Sequence, residues 1–427
     1  MKLNYKRTFF VGLAFMSICS FWQLYDGIVP LILKNSFHVG DFAAGFIMAL
    51  DNVLALFMLP LFGSLSDRTH TKLGRRMPFI IGGTVLACIS MILIPAADDI
   101  GSLALFFVGL GIVLIAMATY RSPAVALMPD VTPKPMRSKG NAVINLMGAV
   151  GGIIMLLLIK LMVPKVDKPD YLPLFLATML IMSVCVFVLF IKIKEPRCAE
   201  EMQKESKAAG IVDDAPDTSG VKVKMPPDVF RSLCLLLTSV FFWFMGYNAV
   251  TTAFSKYAAV AWGMKGGNYA MVLMIAQAAA IVSYIPVGFL ASKFGRKKTI
   301  LAGVAMLALS FGSAMFFKNF SGMIFFFFAL AGVGWAFINV NSYPMVVEMS
   351  RGADVGKYTG YYYTASMLAQ TITPVVSGWF LQNVGYETLF PYGTIFVVLS
   401  FVTMLMVKHG DSRPEAKKNI EAFDVDD

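Results

Sequence analysis

Charge is scarce in this chain. Asp, Glu, Lys and Arg make up 15% of its 427 residues, where a soluble globular protein carries about 25%. With 57% of residues hydrophobic and a mean hydropathy of +0.70, there is more apolar surface than one water-soluble core can bury. Histidine is nearly absent. His38, His70 and His409 fall in loops and take no functional assignment. The five cysteines, Cys19, Cys88, Cys185, Cys198 and Cys234, lack metal-ligand spacing. They lie in apolar runs or in segments assigned to the cytoplasm, so no disulfides are expected. No P-loop, dinucleotide fingerprint or nucleophile elbow occurs. An enzyme, a bound cofactor and a self-powered ATP pump are therefore not expected.

What the chain does have is long apolar runs. A spanning helix needs roughly 20 mainly apolar residues, and lipid-exposed backbone must satisfy its own hydrogen bonds. Runs that meet this occur at 9–33, 41–65, 78–97, 102–129, 140–163, 171–192, 229–255, 268–291, 299–317, 322–348, 358–382 and 388–408. The first begins after Lys2, Lys6 and Arg7 like a signal peptide. It continues through Trp22, Tyr25 and Asp26, too long for one and without a small-residue cleavage site, so it is read as the first span. The net charge of +10 could fit nucleic acid, but the basic residues sit in short segments between apolar runs. Placing the N-terminus in the cytoplasm puts 28 of the 36 Lys and Arg residues on that side and seven outside, with Arg121 alone inside a span. The expected architecture is all-α: twelve transmembrane helices in two six-helix halves, 1–193 and 229–408, with both termini cytoplasmic. A cytoplasmic linker at 194–228, read as a solvated tether, joins them, and a tail occupies 409–427.

The halves echo each other at an offset of about 220 residues. Phe21-Trp22, Tyr25-Asp26 and Lys34 match Phe242-Trp243, Tyr247-Asn248 and Lys256. The loop with Pro60, Gly63, Asp67-Arg68 and Gly74-Arg75-Arg76 matches Pro286, Gly288, Ser292-Lys293 and Gly295-Arg296-Lys297. Ser122-Pro123 matches Ser342-Tyr343-Pro344, and Gly140 matches Gly360. Two parallel repeats point to alternating access around a central site.

The loop from Gly63 to Arg76 resembles the signature loop of the major facilitator superfamily. Asp67, Arg68, Gly74, Arg75 and Arg76 would then form a cytoplasmic gate, the acid facing a helix N-terminus in the other half. Pro60 through Arg76 followed by Pro78-Phe79-Ile80, and Arg121-Ser122-Pro123 through Pro129-Asp130, resemble the glycoside–pentoside–hexuronide:cation symporters and the sucrose-transporter-like branch. That resemblance implies a sugar or glycoside carried with H⁺ or Na⁺. The family's sugar-binding acid in span four falls at Arg121, which inverts its charge and favours an anionic sugar such as a uronide.

Ionisable residues inside spans are costly and mark function. Asp26 lies about 10 Å below the outer surface and Asp51 near mid-depth, taking the helical rise. Pro30 cannot donate to the Asp26 carbonyl, which predicts a polar break in span one. Asp26 or Asp51 is expected to carry the cation, and Arg121 to meet a carboxylate or an anionic solute. Candidate solute contacts are Trp22, Tyr25, Trp243, Tyr247, Asn248, Asn341 and Gln370. The functional expectation is a cation-coupled sugar symporter working as a monomer in the plasma membrane. A proton-coupled exporter of drugs or organic anions is the alternative.

Overall fold

The computed structural model describes residues 3–133, 136–166, 168–208, 226–349 and 355–411. Among them every regular element is helical. The helices are α1 (Tyr5–Asn35), α2 (Asp41–Arg68), α3 (Met77–Met91), α4 (Leu93–Ile100), α5 (Leu103–Asp130), α6 (Arg137–Met162) and α7 (Leu172–Lys192). They continue with α8 (Glu195–Ala208), α9 (Pro227–Val260), α10 (Tyr269–Phe294), α11 (Arg296–Ala314), α12 (Met323–Glu348), α13 (Val355–Asn383) and α14 (Leu389–Met406).

Local chemistry sets many of their ends. Asn4 accepts from the Arg7 amide at 3.0 Å and caps α1. Ser102 does the same for α5 through the Leu105 amide. Pro227 opens α9, where a missing N–H costs nothing. Gly101 closes α4 with φ +73°.

Ten spans among the described residues are long and apolar enough to cross a membrane, with α3 and α4 together making one of them. The sequence reading counts twelve. Its other two places hold α11, 19 residues, and α13, 29 residues. Arg296, Lys297 and Lys298 dilute the first, and Tyr361, Tyr362, Tyr363 and Gln370 the second. Large apolar side chains lie open on the outer surface, among them Phe57, Val282, Phe289 and Phe316. Hydrocarbon is the solvent that makes such a surface stable.

The helices form two compact units. Unit one comprises Met1–Gly40, Leu50–Ile211 and Gly263–Met274. Inside it α1 packs closely on α6: Gly151 backs onto the Met16 carbonyl, and Ser20 Oγ donates to the Gly151 carbonyl at 3.1 Å. Tyr269 donates its hydroxyl to the Gly27 carbonyl at 2.9 Å, which holds the start of α10 within this unit. Unit two comprises Asp41–Ala49, Val212–Trp262 and Ile275–Asp427. Its first piece is fastened by an ion pair between Asp41 and Lys256 at 2.7 Å, with the Tyr386 hydroxyl donating to the same carboxylate at 2.7 Å. The Phe42 amide donates to the Gln382 side chain at 3.0 Å.

Two expectations need correcting. The break expected at Pro30 is absent, because α1 runs continuously from Tyr5 to Asn35 with Pro30 inside it. One proline removes one N–H, and the neighbouring turns keep theirs. The segment read as a tether begins with an ordered helix, α8, whose Glu195 is 3% exposed. The rest of the linker, 209–225, and the tail from 412 onward lie outside the described residues.

Candidate functional site

Unit one gathers charge inside the membrane-spanning helices. Trp22, Tyr25 and Asp26 share α1, Asp51 and Asn52 come from α2, and Arg121 from α5. Helical spacing puts Trp22, Tyr25 and Asp26 within one turn. The Trp22 and Tyr25 rings meet edge to face at 5.5 Å. Arg121 sits over the Trp22 ring, its guanidinium carbon 5.8 Å from the centroid. Asp51 accepts from the Asn52 side-chain amide at 2.8 Å and lies within electrostatic reach of both Asp26 and Arg121. Tyr25 senses both acids. Among the described residues no carboxylate comes within ion-pair distance of Arg121, and no hydrogen bond reaches the Asp26 carboxylate. The Trp22 indole N–H is buried without a partner. The cluster therefore holds two acids, one cation outside ion-pair distance of either, and an unused donor in a low-dielectric place, where each interaction is strong.

Unit two carries an aromatic and amide cluster without charge. Tyr247 of α9 stacks on Trp335 of α12, centroids 3.7 Å apart and planes 7° from parallel. Phe244 meets Trp335 edge-on at 5.4 Å. Asn248 follows Tyr247, and its side-chain N–H group is buried without a partner. Gln370 is half-buried on α13. Trp243 and Asn341 are enclosed or engaged within their own unit in this structure. Trp243 is wholly enclosed, with 0% exposure. Asn341 turns its amide back onto the Phe337 carbonyl of its own helix at 2.9 Å. Tyr25, at 2% exposure, is equally enclosed.

The third cluster lies at the α2–α3 loop. Arg76, 5% exposed, pairs with Asp67 and with Asp130 at 2.8 Å. Arg75 also holds Asp130, a terminal nitrogen donating to Oδ1 at 2.6 Å and Nε to Oδ2, the oxygen that Arg76 uses, at 3.1 Å. Burial alone would lower the Arg76 pKa, but the hydrogen bond and charge of Asp130, with Asp67 beside it, outweigh burial and raise it. Gly74 makes the turn with φ +111°. Glu195 accepts from the Arg75, Arg76 and Met77 amides at 2.8–3.0 Å. Arg68 is exposed and takes no part. Asp67 is answered here by an arginine of its own unit. Unit two has a related group: Arg296 pairs with Glu348, and the Lys297 amide donates to Asp411 at 2.9 Å.

Sequence reading missed Asp130 and Glu195 as members of this cluster, and missed the Asp41–Lys256 pair. The signal for Glu195 was the dipeptide Glu195-Pro196 directly after a span, the pattern of a helix start.

Comparison with known proteins agrees with this architecture. The sequence profile of the Major Facilitator Superfamily matches residues 11–283 and 236–425. Sucrose transport protein SUC3 of Arabidopsis thaliana is 30% identical over 130 residues, 26% of this chain and 22% of that protein. Sucrose transport protein SUC4 of the same plant is 34% identical over 114 residues, 23% of this chain and 22% of that protein. The chain thus spans less than a quarter of the length of these curated relatives. An uncharacterized MFS-type transporter of Methanocaldococcus jannaschii is 27% identical over 124 residues, 29% of this chain and 30% of that protein. Among solved structures, the nucleoside transporter NupG superposes with a TM-score of 0.68 at 14% identity, covering 94% of this chain and 100% of that one. A POT family transporter in complex with 5-aminolevulinic acid gives a TM-score of 0.70 at 11% identity, covering 94% and 96%.

Proposed function

The chain belongs to the major facilitator superfamily, a family of multi-pass membrane transporters rather than enzymes, and from that premise we propose that it is a cation-coupled sugar or glycoside symporter. The observation that carries the proposal is the unit-one cluster, two membrane-embedded acids and one arginine without an ion-pair partner. Such groups are retained in a span when they bind an ion or a solute. Asp51 or Asp26 takes up H⁺ or Na⁺. The local matches to sucrose transport proteins support a sugar as the solute.

In this reading twelve helices span the plasma membrane, with both termini cytoplasmic, and the protein works as a monomer. Arg121 recognises an acidic group on the solute, because its guanidinium feels Asp51 only at a distance and holds no carboxylate within 4 Å. Within unit one Trp22 offers a flat face to a sugar ring; within unit two the outer faces of the Tyr247–Trp335 stack do so, and Asn248 and Gln370 carry amides for hydrogen bonds. The α2–α3 loop, braced within unit one by Asp67, Arg75, Arg76 and Asp130, serves as the cytoplasmic gate as the carrier alternates its access.

The test is uptake into proteoliposomes with a panel of labelled sucrose, methyl glucosides and glucuronides, with and without a pH or Na⁺ gradient. Gradient-driven accumulation of at least one sugar supports the reading. No uptake of any sugar, with gradient-driven extrusion of hydrophobic organic anions instead, replaces it with the exporter reading.

A further inference from the structure

The first N–H groups of a helix have no partner within it. At α3 the residue before the helix, Arg76, supplies no side-chain cap. The amides of Arg75, Arg76 and Met77 converge instead on one carboxylate, Glu195, which lies 119 residues on from Arg76 and makes four hydrogen bonds of 2.8–3.0 Å. A carboxylate there also meets the positive end of the helix dipole. Gly74 is what lets it in. Its backbone sits at φ +111°, and a Cβ on it would run into the Glu195 carboxyl group. The loop glycine is needed both for its backbone and for its missing side chain.

Arg75 and Arg76 are also the residues whose side chains hold Asp130. Fixing their amides fixes where the guanidinium groups aim. Further along α8, Glu205 lies 3.3 Å and Glu201 3.9 Å from the Arg7 guanidinium. Arg7 stands in the first turns of α1, the helix that carries Trp22, Tyr25 and Asp26. Unit two repeats the cap. The Lys297 amide donates to Asp411 at 2.9 Å, Gly295 has φ +92°, and a Cβ there would lie 2.7 Å from the Asp411 carboxylate. An accidental contact would not recur with its own glycine at the matching loop.

We propose that α8 is a strap across unit one, tying the start of α1 to the start of α3, and that Glu195 is the positioning residue that aims Arg75 and Arg76 at Asp130. Its consequence for transport rests on the symporter reading, while the strap itself does not.

The test uses the full-length protein in proteoliposomes. Amide hydrogen exchange at residues 75–77 reads the cap without any solute. Glu195→Ala raises that exchange roughly tenfold or more, as expected for loss of a charge-assisted cap, and Glu195→Asp restores part of the protection. With radiolabelled sucrose as the probe, Glu195→Ala and Gly74→Ala each lower Vmax roughly tenfold and leave KM within about twofold, and the double variant is no worse than either single one. Unchanged exchange at 75–77 in Glu195→Ala overturns the strap. Wild-type Vmax in Glu195→Ala, or an additive double variant, overturns the positioning role. If the wild-type protein moves no sucrose, that result counts against the sugar reading, and the exchange measurement decides the strap.

Discussion

Replacing Lys256 by Met should destabilise the protein by about 3 kcal/mol or more, the cost of leaving one member of a buried ion pair without the other. The side chains of Lys256 and Asp41 are 6% and 9% exposed and stand 2.7 Å apart. Removing the ammonium leaves the carboxylate in the same enclosed place, with the Tyr386 hydroxyl at 2.7 Å. A hydrogen bond from a neutral hydroxyl does not replace the full positive charge that the ammonium supplies. Asp41→Asn removes the charge and keeps the shape, so Asp41→Asn/Lys256→Met should recover a large part of the loss, with a coupling of up to about 3 kcal/mol. Tyr386→Phe should cost less than Lys256→Met. The assay is thermal unfolding of the detergent-solubilised protein followed by intrinsic fluorescence, backed by denaturant titration. A Lys256→Met protein within about 0.5 kcal/mol of wild type would refute the argument, because only a solvated pair behaves that way.

Three further outcomes are expected. Asp51→Asn should abolish gradient-driven accumulation and spare solute counterflow; one charge moving through about 100 mV is worth about 2.3 kcal/mol, so roughly fiftyfold accumulation should fall to unity, and retained accumulation removes Asp51 from ion carriage. Arg121→Gln should erase any preference for glucuronides over neutral glucosides in competition assays, whereas an unchanged preference means the arginine does not read the solute. Arg76→Gln should destabilise by about 3 kcal/mol. A raised arginine pKa contributes stability that is lost only as pH rises through the folded-state value, far above neutrality, so the loss should be equal at about pH 6 and pH 9, and a deficit confined to one end would contradict it.

Much of the fold was legible because the bilayer imposes a length and a composition on each helix. Apolar runs located α1 to α7, α9, α10, α12 and α14, and the loop around Asp67 and Arg76 carried the family resemblance. Runs at 299–317 and 358–382 mark α11 and α13 as well, though lysines at the start of one and tyrosines in the other lower their apolar character below that of the other ten. The unit-one cluster was legible since an acid or an arginine in a span stands out from its neighbours. What escaped was pairing across distance. Asp41 and Lys256 are 215 residues apart, and Glu195 and Arg76 are 119 apart, and nothing local in either segment names the partner. The repeat gives position without surroundings. It equated Trp22 with Trp243, yet Trp22 stays half-buried beneath Arg121 while Trp243 is sealed in its unit. Matching residues in two halves share a backbone position, not the neighbours that decide exposure.

We propose that solute and ion move together, with the ion carried by an acid of unit one. The most direct measurement loads proteoliposomes with pyranine, or with a sodium-sensitive dye, and adds a sugar the protein accumulates to the outside. Wild type should show an inward ion flux that begins with the sugar and vanishes in Asp51→Asn. Sugar entry without any ion flux, or a flux of undiminished size in that variant, would contradict the account.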